Sequence, residues 1–152
     1  MLSFAVSQTA KLGRIIGILV LIVNIVSYFF YTTNRNFWRE NWREAVTFVE
    51  NRARKDEIAL FEFGEPLAPF KWYSRGTLSA EGALTKSFAE EDETKDRVAN
   101  LVLDKKGIWY FEYLRDLSDP GKIVEKAVRE LGFDEKEVYN FEGVGLIRHF
   151  SK

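Results

Sequence analysis

The order of elements predicts an α/β chain: a lead and one transmembrane helix over residues 1–33, then a small soluble α/β domain over residues 34–152. That domain is expected to be three-layered, with a mainly parallel sheet and an antiparallel hairpin at its carboxyl end. Three observations predict it. Ile15 to Tyr31 is an apolar run with no charge inside it. Beyond it, two short apolar runs, Ile58–Phe63 and Ile108–Leu114, are set among segments of helical period, the pattern of strands buried on both faces and joined by helices. Finally, Glu137–Phe141 and Val144–Phe150 flank Glu142-Gly143, which is hairpin spacing with glycine in the turn.

The amino-terminal run decides the class. At about 1.5 Å per residue, Leu12 through Thr32 makes a helix of roughly 30 Å, the thickness of a bilayer's hydrocarbon core. A secretory signal would carry a shorter apolar region and a small-residue cleavage site, whereas this run ends in Tyr28, Phe29, Phe30 and Tyr31. A buried core helix would show a polar stripe. Only Asn24 and Ser27 interrupt the run, at a spacing that suits contact with another membrane helix. The aromatic cluster, with Phe37, Trp38 and Trp42 beyond it, fits the membrane interface. Met1 to Ala10 is too short and mixed to span and reads as an irregular lead or the end of an earlier element.

Composition sets further bounds. A net charge of -1 gives no basic footprint, so nucleic acid is not an expected partner. With 0 cysteines there is neither a disulfide framework nor a thiolate metal site. The charge flanks leave orientation in conflict. Lys11, Arg14 and the amino terminus lie on one side, against Arg35, Arg39, Arg43, Arg52, Arg54 and Lys55 on the other, which by itself places the domain in the cytoplasm. Long domains, however, translocate largely regardless of such a tally.

Taken in order, the domain begins with a helix whose apolar face is Trp42, Ala45, Val46, Val49 and Ala53, with Asn41 as its cap. The strand Ile58–Phe63 stops at Gly64-Glu65-Pro66. Pro66 and Pro69 bracket an aromatic turn containing Trp72 and Tyr73, and Gly76 to Ala89 reads as loop. Glu90, Glu91, Asp92 and Glu93 mark a helix start, where negative charge is favourable. That helix is expected to run through Val98 and Leu101 and to end near Lys105, Lys106 and Gly107. After the second strand, Asp119 as cap, Pro120 at the first position, a face of Ile123, Val124, Ala127, Val128 and Leu131, and Gly132 as stop predict another helix.

Few residues suggest chemistry. There is no glycine-rich phosphate loop. The one histidine, His149, lies in an alternating strand without a second ligand and reads as structural or solvated. Glu62 and Glu112 lie within apolar strands, where a carboxylate needs a partner, expected from nearby basic residues, the alternative being that the two form an active-site pair. Asp116 is a candidate for ligand or partner contact, as are Asn24 and Ser27 for a membrane partner. No nucleophile, base and orienting group assemble, so no catalytic, cofactor-binding or metal residue is assigned, and no cofactor is expected.

The motif order carries a resemblance. An apolar helix running into N-W-R-E-A at Asn41–Ala45, the Lys55-Asp56 turn, the Trp72-Tyr73 pair, G-I-W-Y-F-E-Y at Gly107–Tyr113 and N-F-E-G-V-G-L at Asn140–Leu146 resemble, in sequence, part of a family. It is the last membrane helix and carboxyl-terminal soluble domain of polyprenyl-phosphate-sugar-dependent glycosyltransferases similar to dolichyl-phosphate-mannose protein mannosyltransferases. The resemblance implies a non-catalytic domain outside the cytoplasm, a fragment or separately encoded remnant of such an enzyme. Its implied partners are the lipid bilayer, a multi-spanning membrane protein and a polyprenyl-phosphate sugar. That family keeps its catalytic carboxylates in an early external loop between membrane helices, to which nothing in this sequence corresponds. Gly107-Ile108 also departs from the family's Arg-Val. The alternative is a stand-alone, single-span membrane-anchored binding module.

Overall fold

The computed structural model describes residues 2–33, 40–64, 66–86 and 89–152, with side chains from residue 12 onward. The expectations placed on Arg35, Phe37, Trp38, Arg39 and Glu65 lie outside the described residues. The chain divides into two compact units, Met1–Arg39 and Glu40–Lys152.

The described part of the first unit is one helix, α1 (Leu2–Thr33), of 32 residues and therefore roughly 48 Å long. The lead is helical and continuous with the apolar run, not irregular. Its Leu12–Thr33 part, 22 residues, is long and apolar enough to cross a membrane, and none of it is buried. Asn24 turns back on its own helix, its Nδ2 donating to the Val20 carbonyl at 2.8 Å. Thr32 and Thr33 do the same at the last turn. Self-satisfied polar groups of this kind are what an apolar solvent demands.

In the second unit, α2 (Trp42–Arg52) presents Trp42, Ala45, Val46 and Val49 to the interior, as its spacing predicts. Asn41 occupies the cap position but makes no capping bond. Its amide goes instead to Glu44, while its backbone N–H donates to the Glu142 carbonyl at 2.9 Å. Strand β1 (Glu57–Phe61) and strand β3 (Gly107–Phe111) are buried throughout, the fate expected of their unbroken apolar runs. Between them come α3 (Leu67–Tyr73), β2 (Ser79–Gly82) and α4 (Glu91–Leu101). After β3 follow the single turn α5 (Arg115–Ser118), α6 (Ile123–Glu130), β4 (Asp134–Phe141) and β5 (Gly145–Ser151).

The five strands form one sheet in the order β2-β1-β3-β5-β4. β1 is parallel to both β2 and β3, whereas β5 is antiparallel to both β3 and β4. The sheet is therefore mixed, not mainly parallel as the alternation of elements predicts. The cause is the terminal hairpin, which enters through β5 and contributes as many antiparallel pairings as the crossovers contribute parallel ones. β2 falls in the stretch expected to be loop; as an edge strand reading SAEG it has no apolar pattern to announce it.

Alternate residues of the sheet feed different apolar clusters. Ile58, Leu60, Ile108, Tyr110 and Phe150 join Val98, Val102, Val124 and Val128. Ala59, Phe61, Trp109, Phe111 and Ile147 join Trp42, Val46, Val49 and Phe70. Each fully buried side chain of this size is worth roughly 1.5–3 kcal/mol, so these two clusters carry the fold.

Two helix ends differ from expectation. α4 stops at Leu101, and Gly107 is the first residue of β3, not a helix stop. α6 starts at Ile123 with Lys122 in the left-handed region. Pro120 lies in the turn ahead of it, and Asp119 caps from farther out, accepting the N–H groups of Ile123 and Val124 at 2.9 Å each. Gly132 ends α6 as expected. Its φ of +84° lets Gly132 N–H reach Arg129 O and Phe133 N–H reach Val128 O, with Phe133 packed in the same cluster as Val128.

Candidate functional site

The carboxyl ends of β1 and β3 hold the titratable groups of interest. Because β2 lies on one side of β1 and β3 on the other, successive crossovers diverge there, which is where open α/β sheets place ligands. Phe61 pairs with Phe111 across the two strands. The next residues, Glu62 and Glu112, therefore leave the sheet side by side, each just past its strand and not within it.

Their surroundings differ. Among the described residues, no cation pairs with Glu62. Tyr110 Oη donates to one carboxylate oxygen and Ser118 Oγ to the other, both at 2.6 Å. Burial raises its pKa, the two hydroxyl bonds offset this only in part, and the carboxylates of Asp119 and Glu112 add to it, leaving Glu62 at about 7. The basic partner expected for it is replaced by neutral hydroxyls. Glu112, by contrast, is held by two guanidiniums, Arg115 and Arg148, and Arg148 also reaches Glu135 at 2.7 Å. The ion pairing expected of Glu112 is what the structure contains.

Asp116 lies on α5 with a carboxylate that is 90% exposed and, among the described residues, pairs with Arg115 at 3.4 Å. It borders an open depression of about 330 Å³ together with Glu112, Leu114, Arg115, Leu117, Gly145 and Leu146. Arg115 Nε is buried there without a hydrogen-bond partner. The structure thus brings Glu62, Glu112 and Asp116 to one end of the domain. Asn24 and Ser27 belong to the other unit, where Ser27 lines a shallow apolar hollow with Val26, Phe30 and Tyr31.

The chemistry available is limited by these partners. Glu62 titrates in the range of a proton-transfer group, yet both its oxygens are occupied and it is buried. Both oxygens of Glu112 are likewise taken by guanidinium groups. Among the described residues, no group of three or more His, Cys, Asp or Glu is placed to hold a metal ion. Of the two readings of His149, structural or solvated, the structure has the first: it stacks on Trp109 with centroids 4.4 Å apart, its Nε2 lying 3.2 Å from Glu57.

Sequence reasoning missed Tyr110, Ser118, Arg115 and Arg148 as partners. One signal was present: Phe61-Glu62-Phe63 and Phe111-Glu112-Tyr113 repeat a Phe-Glu-aromatic pattern at the end of both buried strands. Such a repeat in adjacent parallel strands places two carboxylates together. Nothing comparable marks Ser118, which is 56 residues from Glu62.

The resemblance motifs also converge. Tyr113 Oη donates to Glu40 at 2.6 Å, and Trp42 stacks on Phe111 and packs edge-on against Tyr113. A side chain at Gly143, whose φ is +74°, would sit 2.7 Å from the Glu40 backbone. Glu40–Trp42, Tyr113 and the hairpin turn thus form one clasp around the point where the chain enters the domain. Comparison with protein-family models, curated proteins and solved structures finds no match to this chain.

Proposed function

We propose that α1 anchors this chain in the membrane and that its α/β domain is the non-catalytic, extracytoplasmic carboxyl-terminal domain, as a fragment or a separately encoded remnant, of a membrane glycosyltransferase that uses a polyprenyl-phosphate sugar donor. The observation that carries the anchoring is α1. Its charge-free run turns Asn24 back on its own backbone, and six residues separate the helix end at Thr33 from the separately packed domain that begins at Glu40. The link to sugar transfer is supported by the motif order from Asn41 to Leu146, and by the meeting of three of those motifs in the clasp at the domain's entry. The two apolar clusters fed by alternate sheet residues support a three-layer reading of the domain.

A support role fits a site whose two buried carboxylates, Glu62 and Glu112, are engaged by the chain's own side chains. The full chain alone is expected to give no sugar transfer from a polyprenyl-phosphate donor, and turnover without another subunit contradicts the reading. Affinity capture from its native membrane is expected to retain a multi-spanning protein. Absence of one favours the second reading, a stand-alone anchored binding module, for which Asn24 and Ser27 supply the only polar interruptions of the run. Protease protection in sealed vesicles fixes the side on which the domain lies.

A further inference from the structure

We propose that the carboxyl end of the sheet rests on the lipid surface through Leu114 and Leu117, with an uncharged, zwitterionic bilayer face as the occupant. This rests on the reading of α1 as a membrane anchor. Leu114 and Leu117 are 55% and 75% exposed, and they stand on one turn beside Leu146 at the rim of the depression. Leu114 adopts a φ of 56°, a left-handed conformation that a residue with a β-carbon avoids. Backbone strain that holds an apolar side chain out in solvent adds nothing to the core, and strain of this kind marks functional positions.

The occupant is chosen by connectivity and charge. Tyr113, the neighbour of Leu114, is bonded to Glu40, so the two leucines sit beside the residue at which the chain enters the domain. Residues 34–39 alone join Thr33 to Glu40, and a fully extended chain of that length spans at most about 25 Å. A pair of leucines is a weak anchor when free. On a tether this short, the effective concentration of the surface reaches about millimolar, and weak contacts become occupied. The exposed carboxylate of Asp116 between the leucines disfavours an anionic face and leaves a zwitterionic one.

The chain has 0 cysteines, so single-cysteine variants of the full chain can carry an environment-sensitive fluorophore cleanly. Leu117→Cys tests the contact. Leu103→Cys is its control, because Leu103 is 76% exposed and precedes β3 at the opposite end of the sheet. Val20→Cys reports on the anchor. In phosphatidylcholine vesicles, the label at 117 is expected to shift to the blue and to be quenched by headgroup-proximal nitroxide lipid at least twofold more than the label at 103. Leu114→Cys should behave like 117, and added phosphatidylserine should not strengthen the effect. Equal quenching at 117 and 103, with 20 quenched by deep nitroxide, overturns the docking and leaves the anchor standing. No quenching at 20 overturns both. A label at 117 that is shielded in native membranes but exposed in pure lipid also overturns the proposal, in favour of a protein partner.

Discussion

Glu57 and Glu62 stand at the two ends of the same short strand, both 2% exposed, and the protein treats them oppositely. At the amino end, burial by itself would raise the pKa of Glu57. The Arg54 backbone N–H, the Trp109 indole and His149 outweigh it and hold the carboxyl below its usual value. The Arg54 guanidinium adds an ion pair at 3.0 Å. At the carboxyl end, Glu62 meets two hydroxyls and two further carboxylates, and burial wins. Equal surface exposure therefore does not decide protonation: Glu62 lies deeper in the protein and meets only hydroxyls and carboxylates, whereas Glu57 meets an N–H, an indole and an imidazole.

The largest break in this comparison comes from Glu57→Ala. It leaves the Trp109 Nε1–H and the Arg54 backbone N–H without their acceptor and removes the charge that His149 faces. A loss of about 3–5 kcal/mol is expected in denaturant unfolding of the domain unit within the full chain in detergent. A loss under 1 kcal/mol would mean that the amino end is held by packing alone.

The next largest effect is at Glu62 and depends on pH. Its folded pKa of about 7 lies above the unfolded value of 4.5, so the folded state binds the proton more tightly. Stability from this group is present at low pH and lost as pH rises through about 7. Glu57 has the opposite sign, since its folded pKa is depressed: its contribution is present above pH 4.5 and lost as pH falls below it. Glu62→Gln is expected to be near neutral at pH 5 and to stabilise by about 2–3 kcal/mol at pH 8.5, read as a difference in melting temperature at the two values. A variant equally destabilised at both pH values would show that Glu62 is charged throughout and that the contrast with Glu57 is absent.

The smallest effect concerns the backbone beside Glu112. Leu114→Gly removes the left-handed strain and exposes little that was buried, so a gain of about 1 kcal/mol is expected in the same unfolding assay. A loss of that size would show that Leu114 packs the carboxyl end instead of being strained by it.

What was legible in the sequence follows the same division. Ile58–Phe61 and Ile108–Phe111 announce themselves because a strand buried on both faces has no room for polar residues. The hairpin is marked by Gly143, where no other residue fits, and α6 by its face of Val124, Ala127 and Val128. β2 was illegible because an edge strand of four residues needs only one side covered. The reach of Asp119 was misread because the left-handed Lys122 inserts residues between cap and helix. Glu62 and Glu112 were singled out correctly as carboxylates needing partners, but the partners come from β3, β5 and α5. Sequence adjacency reveals Arg115 at most, not Ser118, Tyr110 or Arg148. Tyr110 in particular looks like one more core aromatic until its hydroxyl is seen.

Membrane anchoring and lipid docking alike require that α1 reside in lipid. Alkaline carbonate extraction of membranes containing the full chain, beside a chain lacking residues 2–33, tests this directly. The full chain is expected to remain in the pellet while the shortened chain is released. A full chain recovered in the supernatant, monomeric without detergent, would contradict it.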